Sequence, residues 1–118
     1  DIKTSYSIYR DYGLQTAAYA EAIKENNIFP TTRWVLRIDQ AKICTKCGAK
    51  MREKGGNVKV RGGVSECQHS FGPVTGEIEL KELDNFENDI KAFLACNSLW
   101  VWEHEHWIKR IRNGLSPY

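Results

Sequence analysis

Asp1-Ile2-Lys3-Thr4-Ser5 begins the sequence, and Gln15-Thr16-Ala17-Ala18-Tyr19 comes after a short polar stretch. Successive side chains of a strand point to opposite faces, so Asp1 and Lys3 project together while Ile2 turns into a core. A carboxylate can hold a magnesium ion, a hard cation that takes oxygen ligands and usually keeps waters. The neighbouring ammonium sets a fixed positive charge where negative charge develops on a phosphodiester under attack. The pair suits metal-dependent hydrolysis. Charged pairs at i, i+2 are also common on exposed strands, so its meaning rests on the helix that the next residues form.

From Ile8 the residues Ile8, Tyr12, Gln15, Tyr19, Ala22 and Ile23 form one stripe at helical spacing. Gln15 sits in its middle. A buried amide needs partners, which it finds either by lining a polar site or by bonding backbone at the edge of a core. Asn26 to Thr32 supplies a turn with Pro30 as the breaker, and Trp34 to Ile38 is a mostly apolar run suited to an inner strand.

Asp-Ile-Lys-Thr-Ser, then Leu14-Gln15-Thr16-Ala17-Ala18-Tyr19-Ala20-Glu21-Ala22, then Arg33-Trp34-Val35-Leu36-Arg37-Ile38-Asp39 resembles the second half of the PD-(D/E)XK nuclease superfamily. The likeness is greatest to its RecB-type exonuclease and CRISPR-adaptation nuclease branch. The resemblance implies an α/β fold, the C-terminal part of a restriction-endonuclease-like core built as strand-helix-strand followed by a strand and a long helix. It implies that Asp1 is the acidic, magnesium- or manganese-binding member of the (D/E)xK pair and Lys3 its lysine. Gln15 and Tyr19 match the Q-x3-Y motif, which contributes to the site and helps position DNA. Gly76 to Trp107 resembles the strand and long helix that close such domains. The superfamily needs a further metal-binding acid on an earlier strand, and the branch adds a histidine or acid on a still earlier helix. Asp1 being the first residue, the expectation is a C-terminal fragment, inactive alone, whose partners are DNA and the missing N-terminal half or another domain of the same protein. DNA repair or defence is the implied setting.

Cys44-Thr45-Lys46-Cys47-Gly48 is a Cys-x2-Cys pair ending in glycine, a tight turn that lets two thiolates face one ion. Cys67-Gln68-His69 comes later in the chain, and Cys44, Cys47, Cys67 and His69 would complete a tetrahedral structural zinc site. A redox pair, disulfides and an iron-sulfur cluster are the rival readings. Nothing around Cys44 has the strand-to-helix setting of a redox motif, and the chain does not read as a small stapled secreted domain. The cysteines are also too far apart for the cluster spacing of RecB-like nucleases. Gly55-Gly56 and Gly62-Gly63 bracket Asn57-Val58-Lys59-Val60-Arg61, which reads as a hairpin arm.

The balance of charge is nearly even: 17 lysines and arginines against 15 acids leave a net charge of +2, which does not announce a nucleic-acid binder. Any DNA affinity comes from local clusters, of which Lys46, Lys50, Arg52, Lys54, Lys59 and Arg61 form the densest, interrupted only by Glu53. With 118 residues, 42% of them hydrophobic, the chain makes one modest domain or much of one. No apolar run is long enough to span a membrane and no signal-peptide pattern is present, so a cytoplasmic protein is expected.

Phe86 to Arg112 is a long helical pattern, opened by Asp84 with Glu87 and closed by Gly114 and Pro117. Its face of Phe86, Ile90, Phe93, Leu94, Trp100, Val101, Trp107, Ile108 and Ile111 is expected to pack across the sheet. Cys96 falls within it as a small apolar residue outside the metal site. His104 and His106, two apart, do not face each other, and His104 reads as a half-buried neighbour of tryptophans. Leu99 and Trp102 lie off the stripe as contact candidates. The expected organisation is residues 1–39 as the nuclease half-core, 40–73 as the zinc-binding insertion, and 74–118 as the closing strand and helix. The alternative function is a non-catalytic zinc ribbon that binds nucleic acid or protein through its basic arm.

Overall fold

Ile2 and Lys3 form a strand, β1 (Ile2–Lys3), in the computed structural model, which describes residues 1–114. The order continues with α1 (Tyr12–Ile23), a short 3-10 turn (Lys24–Asn26), β2 (Trp34–Cys44), β3 (Lys50–Lys54), β4 (Asn57–Arg61), β5 (Phe71–Glu82), α2 (Phe86–Glu103) and α3 (Glu105–Arg112). The architecture is mixed α/β, with five strands in one mixed sheet. Pro117 lies outside the described residues. Contacts divide the described chain into two compact units, one formed by Asp1–Ile8 and Trp34–Lys81, the other by Tyr9–Arg33 and residues 82–114.

In the first unit β2 is the organising strand. β1 pairs with it in parallel, Ile2 opposite Leu36 and Lys3 opposite Arg37. β3 pairs antiparallel further along, Lys42 opposite Met51 and Ile43 opposite Lys50, and β4 continues outward to the sheet edge. β5 also pairs with β2. The contacts Arg37–Glu79, Ala41–Thr75 and Thr45–Ser70 run in opposite order along the two strands, so that pairing is antiparallel. Three partners on a strand with two edges leave β1 and β3 sharing one of them, and Lys54 Nζ donates to the Thr4 carbonyl at 3.0 Å where their ends meet.

Strand alternation then sorts the sheet into two unlike faces. One carries Asp1, Lys3, Val35, Arg37, Asp39 and Ala41, of which the four from β2 are buried. Two ions buried side by side need pairing, since an isolated charge out of water is costly. The Arg37 guanidinium reaches Glu79 at 2.9 Å, Glu77 at 3.2 Å and Asp39 at 3.6 Å, and Asp39 also holds Arg52 at 2.8 Å. Burial works against the charge on Arg37, yet hydrogen bonds to Glu79 and Glu77 hold its pKa above the ordinary value. The other face exposes Ile2, Ile38, Val74, Ile78 and Leu80.

The second unit rests on small residues. The sequence stripe through Tyr12, Gln15 and Tyr19 is not what α1 buries: Gly13, Thr16, Ala17 and Ala20 are buried, and Tyr19 is 56% exposed. Small side chains win here because they let α2 come close, to the point that a Cβ on Gly13 would sit 2.8 Å from an Asp89 carboxylate oxygen. Arg33 fastens the two helices, donating to Gly13 O at 3.0 Å and Asp84 O at 2.8 Å while pairing with Asp89 at 2.9 Å.

Several sequence expectations change. The strand expected to end at Asp39 continues to Cys44, and the closing strand starts at Phe71 rather than Gly76, because β2 and β5 pair along the whole approach to the cysteines. Asn85, in the left-handed region at φ 58°, begins α2 with no side-chain cap, in place of a cap at Asp84. The single long helix breaks at His104 (φ −108°), where the His104 ring stacks on Trp100 at 4.2 Å and its Nδ1 lies 2.8 Å from the Trp100 carbonyl oxygen. Only Ile90 of α2 is buried; Leu94, Leu99, Trp100, Val101, Trp102 and Cys96 are exposed. Among the described residues no helix is long and apolar enough to cross a membrane.

Candidate metal centre and basic strand face

The metal-ligating residues sit where β2 ends and β5 is about to begin. Cys44 is the last residue of β2, and the chain turns at once: Gly48 N–H bonds Cys44 O at 3.0 Å and Cys44 N–H bonds Ala49 O at 2.8 Å. Gly48 takes φ 76°, a left-handed conformation that glycine adopts without steric cost. Segment 67–70 docks onto this turn. Thr45 N–H and its hydroxyl both donate to Ser70 O, Lys46 Nζ donates to Gln68 O, and Ser70 N–H points at Cys44 Sγ at 3.4 Å.

The result is a cluster whose ligand atoms, from Cys44, Cys47, Cys67 and His69, all lie within 4.8 Å of one another. Zn–S and Zn–N bonds in tetrahedral array would set sulfurs roughly 3.8 Å apart and sulfur and nitrogen roughly 3.5 Å apart. Cys44 and Cys67 Sγ atoms are 4.0 Å apart, and Cys47 Sγ is 3.3 Å from His69 Nδ1. The four residues therefore lie close enough to bind a metal such as zinc, and all three cysteines are free thiols. Gly63 closes the centre: a Cβ there would meet Cys47 Sγ at 2.7 Å and Ala49 N at 2.8 Å.

Local electrostatics favour thiolate at Cys44 and Cys47. Burial pushes the Cys44 thiol up, but the amides of Lys46, Cys47 and Ser70 and the His69 ring outweigh it, bringing it down to about 5. The amides of Val64 and Ala49 lower Cys47 in the same way. Cys67 is raised to about 11 by burial and by its two sulfur neighbours, and His69 is raised chiefly by its bond to Cys44. Without a cation the cluster keeps protons, Cys67 holding its own at neutral pH. A divalent cation replaces those protons with charge, which is how thiolate sites gain affinity.

Asp1 and Lys3 are brought together as the strand spacing implies. The carboxylate and ammonium are 3.1 Å apart, their side chains 23% and 19% exposed. Gln15 and Tyr19 stand one turn apart on α1, in the second unit, Gln15 half-buried and Tyr19 exposed. Among the described residues the cysteine-histidine cluster is the one group of three or more potential metal ligands, and Asp1 belongs to no such group.

The β3–β4 hairpin adds a feature that the sequence showed as a crowd of basic residues and the register turns into a surface. Lys50 pairs with Arg61, Arg52 with Lys59, and Lys54 with Asn57. Alternation puts all six on one face, while Met51, Glu53, Val58 and Val60 take the other. The register joins that face to the one bearing Arg37, Asp39, Asp1 and Lys3. Tyr6 lies against it, with Arg61 over its ring at 5.1 Å and Lys50 at 5.9 Å. Sequence reasoning missed Tyr6 and the Arg37–Asp39–Glu77 network. The one signal for the network was that Arg37 and Asp39 alternate with Val35 and Ala41 on a single strand face. Compared with protein-family models, curated proteins and solved structures, the chain matches none of them.

Proposed function

We propose that this protein hydrolyses DNA phosphodiester bonds with magnesium or manganese at Asp1 and Lys3, in a nuclease core to which a zinc-bound arm is attached. The observation that carries the reading is the Asp1–Lys3 pair, 3.1 Å apart on a strand that runs parallel to β2 and is followed in the chain by the helix bearing Gln15 and Tyr19. When bound, the divalent ion supplies a Lewis acid and an activated water. Asp1 offers an oxygen ligand of the kind such an ion takes. Lys3 holds a positive charge against the phosphoryl oxygens as their charge grows, and is in turn oriented by Asp1. Gln15 and Tyr19 position DNA in this reading.

Zinc at Cys44, Cys47, Cys67 and His69 is structural: four protein ligands fill a tetrahedral ion and leave no open position for chemistry. Its binding offsets the ordering entropy of a glycine-rich segment with little core of its own. The test is DNA cleavage by the full-length gene product with magnesium, since the family resemblance implies further acids on earlier elements. Asp1→Ala and Lys3→Ala should each abolish cleavage while leaving zinc content unchanged. Unchanged cleavage in both removes these residues from the mechanism.

A further inference from the structure

We infer that the outer cationic face of the β3–β4 hairpin, Lys54, Lys59 and Arg61 with Asn57 between them, binds the phosphodiester backbone of a nucleic-acid strand. This deepens the nuclease reading, on which the identification of the polyanion as nucleic acid rests, by naming a surface that holds the substrate.

Some of the hairpin's charges are already answered. Lys50 is paired with Glu77, and Arg52 with Asp39 at 2.8 Å, so these two cations are neutralised within the sheet. Lys59 and Arg61 have no carboxylate partner among the described residues, and Lys54 meets only a carbonyl. Both β4 cations are exposed. Along a strand they recur every second residue, a step of about 6.6 Å, and the paired strands set two such columns side by side. Between the columns lies a concave space of about 190 Å³ lined by Arg52, Lys54, Asn57, Lys59 and Arg61. No acid of the hairpin faces it.

The surface is also held in shape. Gly55 and Gly56 turn the hairpin at φ 59° and 80°, the left-handed pair that suits the twist of a two-residue connection. The cysteine-histidine cluster anchors its base. Positive charge on a preset scaffold binds phosphate at lower entropic cost than charge on a loose loop. The same sheet face carries Asp1 and Lys3, so a strand lying on the hairpin runs on the side of the sheet where the proposed chemistry occurs. Lysines on an edge strand also guard against edge-to-edge aggregation; charge of either sign serves that purpose, whereas phosphate binding requires positive charge.

The experiment measures fluorescence anisotropy of a labelled oligonucleotide, as single strand and as duplex, across a salt series without magnesium. The full-length protein is compared with Lys59→Gln/Arg61→Gln and with Lys91→Gln/Arg112→Gln, a control that removes the same charge from exposed positions on α2 and α3. Loss of two phosphate contacts lowers the salt slope by roughly 1.8 on a duplex or 1.4 on a single strand, and so weakens binding at 0.15 M salt by roughly 30-fold or 14-fold. Lys59→Glu/Arg61→Glu should weaken it further while the oligomeric state stays that of the parent. Equal affinity for the hairpin and control variants overturns the inference, as does binding that ignores salt, or a Glu variant that binds as tightly as the parent. Because no cleavage is read, a protein that binds through the hairpin yet never cuts DNA refutes the nuclease reading alone. One that cuts with its affinity unmoved by the hairpin variant refutes this one alone.

Discussion

Gly63→Ala tests the metal centre through its tightest contact. Gly63 and its neighbour Gly62 share a left-handed backbone, φ 65° and 73°, so alanine at either meets the same strain of roughly 1–2 kcal/mol. They differ in space. A Cβ at 62 meets nothing within 4 Å, whereas a Cβ at 63 meets Cys47 Sγ at 2.7 Å and Ala49 at 2.8 Å. Forcing a methyl group into that contact adds roughly 1–3 kcal/mol. The neighbours are a ligand sulfur and a backbone amide, so relief must move the ligand. Zinc affinity, measured at neutral pH by competition with a chromophoric chelator, should fall about 5- to 30-fold in Gly62→Ala, and roughly 5- to 150-fold further in Gly63→Ala. Equal losses in the two variants would refute the geometry of Cys47 within the centre. Unchanged affinity in both would refute the coupling of this loop to the metal.

Cys44→Ser/Cys47→Ser should retain no zinc by metal analysis, whereas Cys96→Ser, at an exposed helix position, should retain it fully. Arg37→Met leaves Glu79 without its cation and Glu77 and Asp39 with Lys50 and Arg52 alone, and should lower unfolding free energy by up to about 3 kcal/mol in urea titration, since breaking a buried pair strands the remaining charge. Glu77 has its pKa lowered from the ordinary 4.5, first by its bond to Lys50. Its contribution to stability is therefore present above 4.5 and lost as pH falls through the depressed native value. Glu77→Gln should accordingly be less stable at pH 7 and converge with the parent as the pH drops below 4.5, in thermal melts across that range.

What the sequence made legible was chemistry carried by few atoms at fixed spacing. Cys44, Cys47, Cys67 and His69 were identifiable because a tetrahedral ion constrains residue type and turn more than it constrains fold, and the strand Asn57–Arg61 of the hairpin arm because paired glycines mark both its ends. Asp1 and Lys3 were legible for the same reason: period-two alternation is enough to set them together. Burial was harder to read. Tyr12 and Tyr19 dominate the hydrophobic stripe of α1, yet Gly13, Thr16 and Ala17 are what it buries, because closeness of helix packing depends on what side chains lack. Arg37 and Asp39 belong to an inner strand despite their charge, and Arg37's partners Glu77 and Glu79 stand about forty residues away in the chain, beyond any local pattern. The break at His104 left no glycine or proline to announce it.

The most direct measurement is single-turnover cleavage of DNA by the full-length gene product in magnesium, set beside the Asp1→Ala variant at equal zinc content and equal DNA occupancy. The expected result is cleavage by the parent and none detectable by the variant, with the oligonucleotide still bound. Cleavage at the parent rate by Asp1→Ala, or a parent protein that binds DNA and never cuts it, would contradict the assignment of hydrolysis to this strand.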